Sequence, residues 1–431
     1  MSSLADYAEV KAYLYGLKHR GANYGIERMQ RMVDALGVPT GRHPIIHVAG
    51  TNGKGSTCAL LEAIYRRAGQ RTGLFTSPHL VFQGERVQVD RVPLSQQQVM
   101  DFTRKLRPIA ETIETREPGY HPTFFEFMTS MALLRFEEAA VDVAMLETGL
   151  GGRLDATNVV DPAISIITSI SLDHVDILGD TIEAIAAEKA GIIKAGKPLV
   201  IGHLPPAAEA VIRRIAAERG SVVHSIHERF GPNLDSMPET ALPGDYQRFN
   251  AAAATLAAEV LRERLPVSDA QIHEALLDVS WSGRWETHAV GSKQLILDAS
   301  HNPEGAVFLE ANLKRLIAQT GVRPVILAGT LGNHRAQSLM PIVARYAREI
   351  YLLRPNQPRA CSEEELLTWI PPEFEGRIIK AKIRELFPAP GECVVGEAGE
   401  TVVATGSIYL IGEIMEALYH EVPVGEETLQ D

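Results

Sequence analysis

The 431-residue chain contains no apolar run approaching the roughly 18 consecutive residues that a membrane-crossing helix needs. Its three cysteines, Cys58, Cys361 and Cys393, are too few and too scattered for a disulfide framework or a zinc site. Positive charge is also in short supply. A formal net charge of −12 argues against broad electrostatic capture of nucleic acid or of an anionic membrane. No internal repeat and no low-complexity segment interrupts the chain, and Met1 to Glu9 combine neither a basic nor an apolar stretch, so no secretory signal is expected. These absences predict a cytoplasmic protein with free thiols, partnered by neither nucleic acid nor membrane. An anionic ligand would then need a local positive site: a glycine-rich loop, a lysine, an arginine or a metal ion.

With 45% hydrophobic and 22% charged residues the composition is that of an ordinary globular protein, and the length suggests two domains. Short β-rich apolar runs alternate with longer helical patterns, which predicts an α/β fold with a mostly parallel sheet. The expected strands are Pro44–Ala49, Arg71–Thr76, Val141–Leu146, Ala163–Ile170 and Pro198–Gly202, then Gln294–Leu297, Pro324–Ala328, Glu349–Leu353 and Thr401–Thr405. Helical patterns cover Ser56–Ala68, Phe124–Ala139, Thr181–Ala190, Phe249–Arg264 and Ser268–Leu277. A boundary is expected near Thr287–Lys293, giving units of 1–288 and 289–431. Many strands run directly into polar or glycine-rich segments: Gly50–Ser56, Ser77–His79, Glu147–Asn158, Ser171–Asp176, Asp298–Pro303 and Gly406–Ser407. Ligands of open α/β sheets bind at the carboxyl ends of strands, so this shared edge is the candidate site.

In His47–Thr57 a strand leads through Gly50, Thr51, Asn52, Gly53, Lys54 and Gly55 into a helix opening with Ser56 and Thr57. Glycine lets backbone N–H groups face phosphate oxygens, the lysine adds a full charge, and a hydroxyl can reach phosphate or Mg²⁺. The usual phosphate-loop pattern is not met: Val48 occupies its first glycine position, and Gly55 separates Lys54 from the hydroxyl. The stretch resembles the Gly-Thr-Asn-Gly-Lys loop of the Mur ligase superfamily, and the extra glycine resembles its folylpolyglutamate synthase branch. The resemblance runs from His47 to Ser407. It implies a P-loop nucleotide-binding domain plus a smaller Rossmann-like C-terminal domain.

Several residues carry meaning through that resemblance. Glu147, at a strand end, suits a metal carboxylate or a helix-capping acid; His174 alone suits a structural or solvated role as well as a ligand. The family binds Mg²⁺ through a serine, a glutamate and a histidine, which implies Ser77, Glu147 and His174 here. The Ser77–Pro78 step suits a cis bond. Lys189 would pass for a solvated helix lysine, but the family carries a carbamylated lysine in this motif, suited to a second metal ion. Glu147–Asn158 matches a folate-contacting motif, implying Arg153, Leu154, Asp155 and Ala156, although an Arg153–Asp155 pair locking the loop is the alternative. Thr123, Phe124, Phe125 and Glu126 resemble the pterin-contact segment; an aromatic face would stack a pterin, and one phenylalanine is expected in the core. Leu80–Val89 resembles a mobile substrate loop.

Asn250 and Arg284 resemble ATP contacts, the arginine equally suiting an interdomain salt bridge, and Ser282 replaces a common proline. Asp298 and His301 match an Asp-x-x-His-Asn-Pro motif, implying nucleotide contact for the aspartate and glutamate binding for the histidine. Ser407 would join the glutamate side, though by itself it reads as structural. The implied reaction uses ATP and Mg²⁺, two ions in all, with folate or dihydropteroate and L-glutamate as substrates. Lys54, Asp155, Lys189 and His301 are its candidate catalytic groups, acting through an acyl phosphate, and a monomer is expected. The rivals are a Mur ligase acting on a cell-wall precursor, disfavoured by Gly55 and Leu150–Asp155, and a P-loop switch, which leaves Asp298–Pro303 unexplained.

Overall fold

A computed structural model describes residues 4–18, 25–38 and 40–419. The outer ends of the two expected units, 1–3 and 420–431, lie outside the described residues. Two sheets form. The first contains β1 (Ile45–Ala49), β2 (Thr72–Phe75), β3 (Val87–Val89), β4 (Val92–Pro93), β5 (Val143–Glu147), β6 (Ile164–Ile167), β7 (Leu199–Ile201) and β8 (Val223–Ser225). Its order is β4-β3-β2-β5-β1-β6-β7-β8. β2, β5, β1, β6, β7 and β8 run parallel, and β3 and β4 add an antiparallel edge. β1, β2, β5 and β6 are buried at every residue, as strands covered on both faces must be.

One face of this sheet packs against helices Leu4–Lys18, Glu27–Leu36, Gln96–Arg116 and Phe124–Ala139. The other packs against Lys54–Arg67, Asp245–Val260 and Asp269–Asp278. The second sheet contains β9 (Glu286–Val290), β10 (Lys293–Asp298), β11 (Val325–Ala328), β12 (Glu349–Leu352), β13 (Arg377–Lys380) and β14 (Thr401–Thr405), in the order β13-β12-β11-β14-β10-β9. All pairs are parallel except β9 with β10. The boundary expected between 288 and 289 falls inside β9, whose hydrogen bonds to β10 tie it to the second sheet from Glu286 onward.

Register decides where the chemistry can sit. Val48 lies opposite Glu147, Ala49 opposite Ile167 and Phe75 opposite Leu146, so β1, β2, β5 and β6 end nearly flush. The segments that follow them leave the sheet at one edge. Among the described residues no helix is long and apolar enough to cross a membrane, and Cys58, Cys361 and Cys393 are free thiols.

Candidate active site

A cavity of about 440 Å³ opens where that edge meets the second sheet. Its floor is the loop Gly50–Ser56, leaving β1 and entering the helix Lys54–Arg67 at Gly53, whose φ of 82° favours glycine. A Cβ at Gly53 would stand 2.2 Å from Asn250 Oδ1, so glycine lets the asparagine close against the loop. Lys54 folds over the loop, its Nζ donating to the carbonyls of Gly50 and Thr51 at 3.1 Å each. Ser56 lines the cavity and accepts from Gln247 Nε2 at 3.2 Å, whereas Thr57 is fully buried and outside the lining.

Glu147 sits beneath this loop, 5% exposed, with Oε2 accepting from the Ser77 N–H at 3.1 Å. The Ser77–Pro78 bond is cis. Burial pushes the Glu147 carboxyl up, opposed by the charges of Lys54, Arg284 and Arg86 and by that backbone hydrogen bond. Gly55 is explained here, because a Cβ on it would lie 3.2 Å from Glu147 Oε2 and 3.3 Å from the Trp281 ring. His174 lines the same cavity from a left-handed backbone conformation, φ 51°. Its neighbour Asp173 also faces the cavity; burial pushes its carboxyl up, but His174, His301 and Arg335 pull it down to about 2.

Lys189, 5% exposed, donates to the same Gly50 carbonyl as Lys54, at 2.9 Å. Burial and then the Lys54 charge push its ammonium down to about 7. It is therefore not the solvated helix lysine that composition suggested. Asp155 is buried as well, its carboxylate accepting from the N–H groups of Gly149, Leu150 and Thr157 at 2.9 Å each. Thr123 and Glu126 form a reciprocal helix cap: Glu126 Oε2 accepts from the Thr123 N–H at 2.7 Å and pairs with Arg28 at 3.0 Å. From the segment before β9 comes Arg284, and from the second unit come His301, Arg335 and Arg359. His301 Nδ1 lies 2.8 Å from the Ala299 carbonyl, and burial followed by the Arg335 charge pushes the imidazole down to about 4.

Not every expected residue reaches the cavity. Arg153 does not line it and does not pair with Asp155; its guanidinium turns to Glu188, 2.8 Å away, on the helix Ile182–Lys189. Phe124 is core, 3% exposed, while Phe125 lines the cavity with Leu154 and Ala156. Asn250 and Asp298 are buried behind the lining, Asp298 accepting from the Ser300 N–H at 3.0 Å. Ser407 is 2% exposed and accepts from the Tyr409 N–H at 3.2 Å, a capping position outside the lining. Leu80 does not hang free: it packs on the second sheet's core, with Glu85 accepting from the N–H groups of Leu80, Val81 and Phe82.

The sequence profile of the Mur ligase middle domain matches residues 48–229. The dihydrofolate synthase/folylpolyglutamate synthase of Bacillus subtilis (strain 168) is 34% identical over 436 residues, covering 96% of this chain and 99% of that one. The chain belongs to the folylpolyglutamate synthase/dihydrofolate synthase family. It is accordingly a ligase of the Mur type. Similar solved structures include the Thermotoga maritima folylpolyglutamate synthase, 30% identical with a TM-score of 0.82 over 97% of each chain. E. coli FolC in complex with DHPP and ADP gives a TM-score of 0.79 at 29% identity, over 94% of this chain and 97% of that one.

Sequence reasoning for this family member passed over Tyr246, Phe308, Arg335 and Arg359, all of which line the cavity. Tyr246 stands one helical turn before Asn250, a spacing that sequence does show, and its ring packs on Phe308 with centroids 4.5 Å apart. Arg335, in the first turn of the helix Asn333–Tyr346, and Arg359, beyond β12, come from separate segments linked by a Gly332 N–H to Arg359 carbonyl bond of 3.0 Å, a convergence that carries no local signal.

The tight fit at Gly55 yields a test. Gly55→Ala favours the helix by up to about 1 kcal/mol on propensity, yet it presses on Glu147. The expected outcome is an unchanged or raised melting temperature with turnover down about tenfold, read by calorimetry beside a steady-state assay.

Proposed function

We propose that the enzyme uses ATP to join L-glutamate to a folate or to dihydropteroate through an acyl phosphate. One observation carries the reading: a single cavity is lined by the phosphate loop, by the buried Glu147 and by the second unit's His301 and arginines. In this reading the nucleotide-binding unit, 1–288, passes into the Rossmann-like unit, 289–431, within β9. In this reading ATP phosphates lie on Gly50–Ser56 against Lys54, with Asn250, Arg284 and Asp298 around the nucleotide. Asn250 and Asp298 would act from behind the lining.

A magnesium ion fits the donors present. Mg²⁺ keeps most of its water and takes one or two protein carboxylates, together with phosphate oxygens. Glu147 is a buried carboxylate that a cation would relieve; Ser77 is its hydrogen-bonded neighbour, and His174 shares the cavity. Among the described residues there is no group of three or more His, Cys, Asp and Glu able to hold a metal alone. Bound there, the ion would supply positive charge to the transferring phosphoryl group. The substrate carboxylate attacks the γ-phosphorus and ADP leaves. Lys54 and Arg284 hold the developing charge. The glutamate amine then attacks the acyl carbon, an amide forms and phosphate departs.

Phe125, Leu154 and Ala156, with Thr123, Glu126 and Asp155, form the wall offered to the pterin. Phe124 supports it from the core, and Arg153 braces the same loop through Glu188. Every ionised lining residue of the second unit is an arginine, which suits the carboxylates of glutamate near His301. Ser407 would act on that side by holding the backbone at Tyr409. The protein is read as a cytoplasmic monomer.

Lys189 is suited to carbamylation because CO₂ adds only to a free amine, and an ammonium lowered to about 7 supplies one near neutral pH. The charge then changes from positive to negative beside Lys54, which favours a second Mg²⁺.

The deciding assay follows ADP and amide with ATP and glutamate, comparing dihydropteroate and tetrahydrofolate as acceptors. Amide is expected with at least one. ADP release indifferent to either acceptor would sink the reading. Lys54→Ala should reduce turnover at least about a thousandfold while the protein stays folded by circular dichroism. Carbamate should also respond to pH in a fixed direction. As pH falls through about 7, Lys189 takes up a proton and loses CO₂. A ¹³C-bicarbonate NMR signal present at higher pH should therefore vanish on acidification and be absent in Lys189→Ala. Finally, Arg359→Met should raise the KM for glutamate by about tenfold and leave that for ATP unchanged, measured by varying each substrate in turn.

A further inference from the structure

A second set of polar contacts borders the cavity. Glu304, on the helix Pro303–Thr320 that follows β10, crosses to the first unit. Its Oε2 accepts from Asn52 Nδ2 at 2.5 Å, Ser171 Oγ at 3.0 Å and Ser169 Oγ at 3.3 Å. Asn302 and Asn52 exchange amide hydrogen bonds of 3.0 and 3.2 Å. The Asn302 amide has one sensible orientation, because its Oδ1 also caps the helix by accepting from the Gly305 N–H at 2.8 Å. Its Nδ2 reaches Asp173 at 3.3 Å, and Arg335 pairs with Asp173 at 3.5 Å.

We infer that Glu304, supported by Asn302, is a positioning residue that latches the second unit onto the phosphate loop and keeps water from the acyl phosphate. The inference rests on the ligase reading above. Glu304 does not line the cavity, so it acts through Asn52 and the two serines rather than on substrate. A carboxylate with three donors is held strongly while the units are docked, and opening them leaves all four groups to water. Such a contact has two states, made or broken. Asn52 belongs to the loop assigned to phosphate, so nucleotide and latch share a residue.

The consequence concerns partitioning. Behind a closed latch the amine of glutamate attacks the acyl carbon; the C–N bond forms, the C–O bond to phosphate breaks and the amine's proton leaves. Through an open one water reacts instead. The phosphorylated carboxyl returns to carboxylate, phosphate is released, and ATP has been spent without amide.

The test measures ADP and amide in one reaction of the full-length enzyme with ATP, glutamate and the better folate acceptor. In the unaltered enzyme the two should match. Glu304→Ala should raise ADP per amide by about fivefold or more, the scale of losing a charge-assisted hydrogen bond. Glu304→Gln, which keeps an acceptor oxygen, should fall between. If Glu304→Ala fails to fold, Ser171→Ala removes one donor alone and should raise the ratio by a smaller factor. A ratio unchanged from the unaltered enzyme in the folded variants overturns the latch. Absence of amide from the unaltered enzyme would instead overturn the ligase reading, so the two failures are distinct.

Discussion

Burial of the Glu147 carboxylate under the phosphate loop is unfavourable unless positive charge and hydrogen bonds offset it, and the surroundings are organised around that need. The Val48–Glu147 register carries it to the end of β5 just where β1 turns into the loop. Ser77 brings a backbone N–H from the end of β2, and Lys54, Arg284 and Arg86 direct positive charge toward it. Gly55 is bare because the carboxylate and Trp281 already fill the space a side chain would take. The glycine that separates Lys54 from the hydroxyl of Ser56 thus fits the packing at this point.

The two lysines extend this logic. Lys54 and Lys189 converge on one carbonyl, that of Gly50, from a helix start and a helix end far apart in sequence. Two ammonium groups held so close repel, and burial adds to the cost at Lys189. The lowered acidity range of that lysine is therefore built into the fold: any event that takes away its positive charge relieves strain at the phosphate loop. A modification that installs a negative charge relieves more of it than deprotonation does.

Much of this was legible from residue order, and the exceptions have physical causes. Strands such as Glu349–Leu352 and Thr401–Thr405 are short apolar runs bounded by turn residues, and they appear where expected. The helix Phe124–Ala139 is announced by its Thr123–Glu126 cap. Arg153 misled because Asp155 is its neighbour in sequence, while its true partner, Glu188, is 35 residues away and is brought close only by the fold. Phe124 and Phe125 could not be told apart by type; successive helix positions point about 100° apart, so one enters the core and the other the cavity. Asp298 and Ser407 end strands as expected, yet both spend their oxygens on local N–H groups. Arg335 and Arg359 were illegible because their convergence depends on β11 and β12 being neighbours, which only sheet order reveals.

That division of information matches the division of labour between the sheets. The first unit contributes the loop, the buried acid and the aromatic wall, all carried on contiguous motifs that sequence displays. The second contributes Arg335 and Arg359 from the segments that follow β11 and β12, and Arg284 joins them from the segment before β9. In a chain of net charge −12, a wall whose ionised groups are all arginines has to be assembled against the average composition. In the proposed reaction it is useful only when docked, because the anions it faces would be bound or made on the other unit. Were a water-sensitive intermediate made on one body and its attacker bound on the other, as proposed, their contact would need to be conditional. A polar seam through Asn52, Asp173, Asn302 and Glu304 meets that requirement better than an apolar one, since its groups can be rehydrated when the units part.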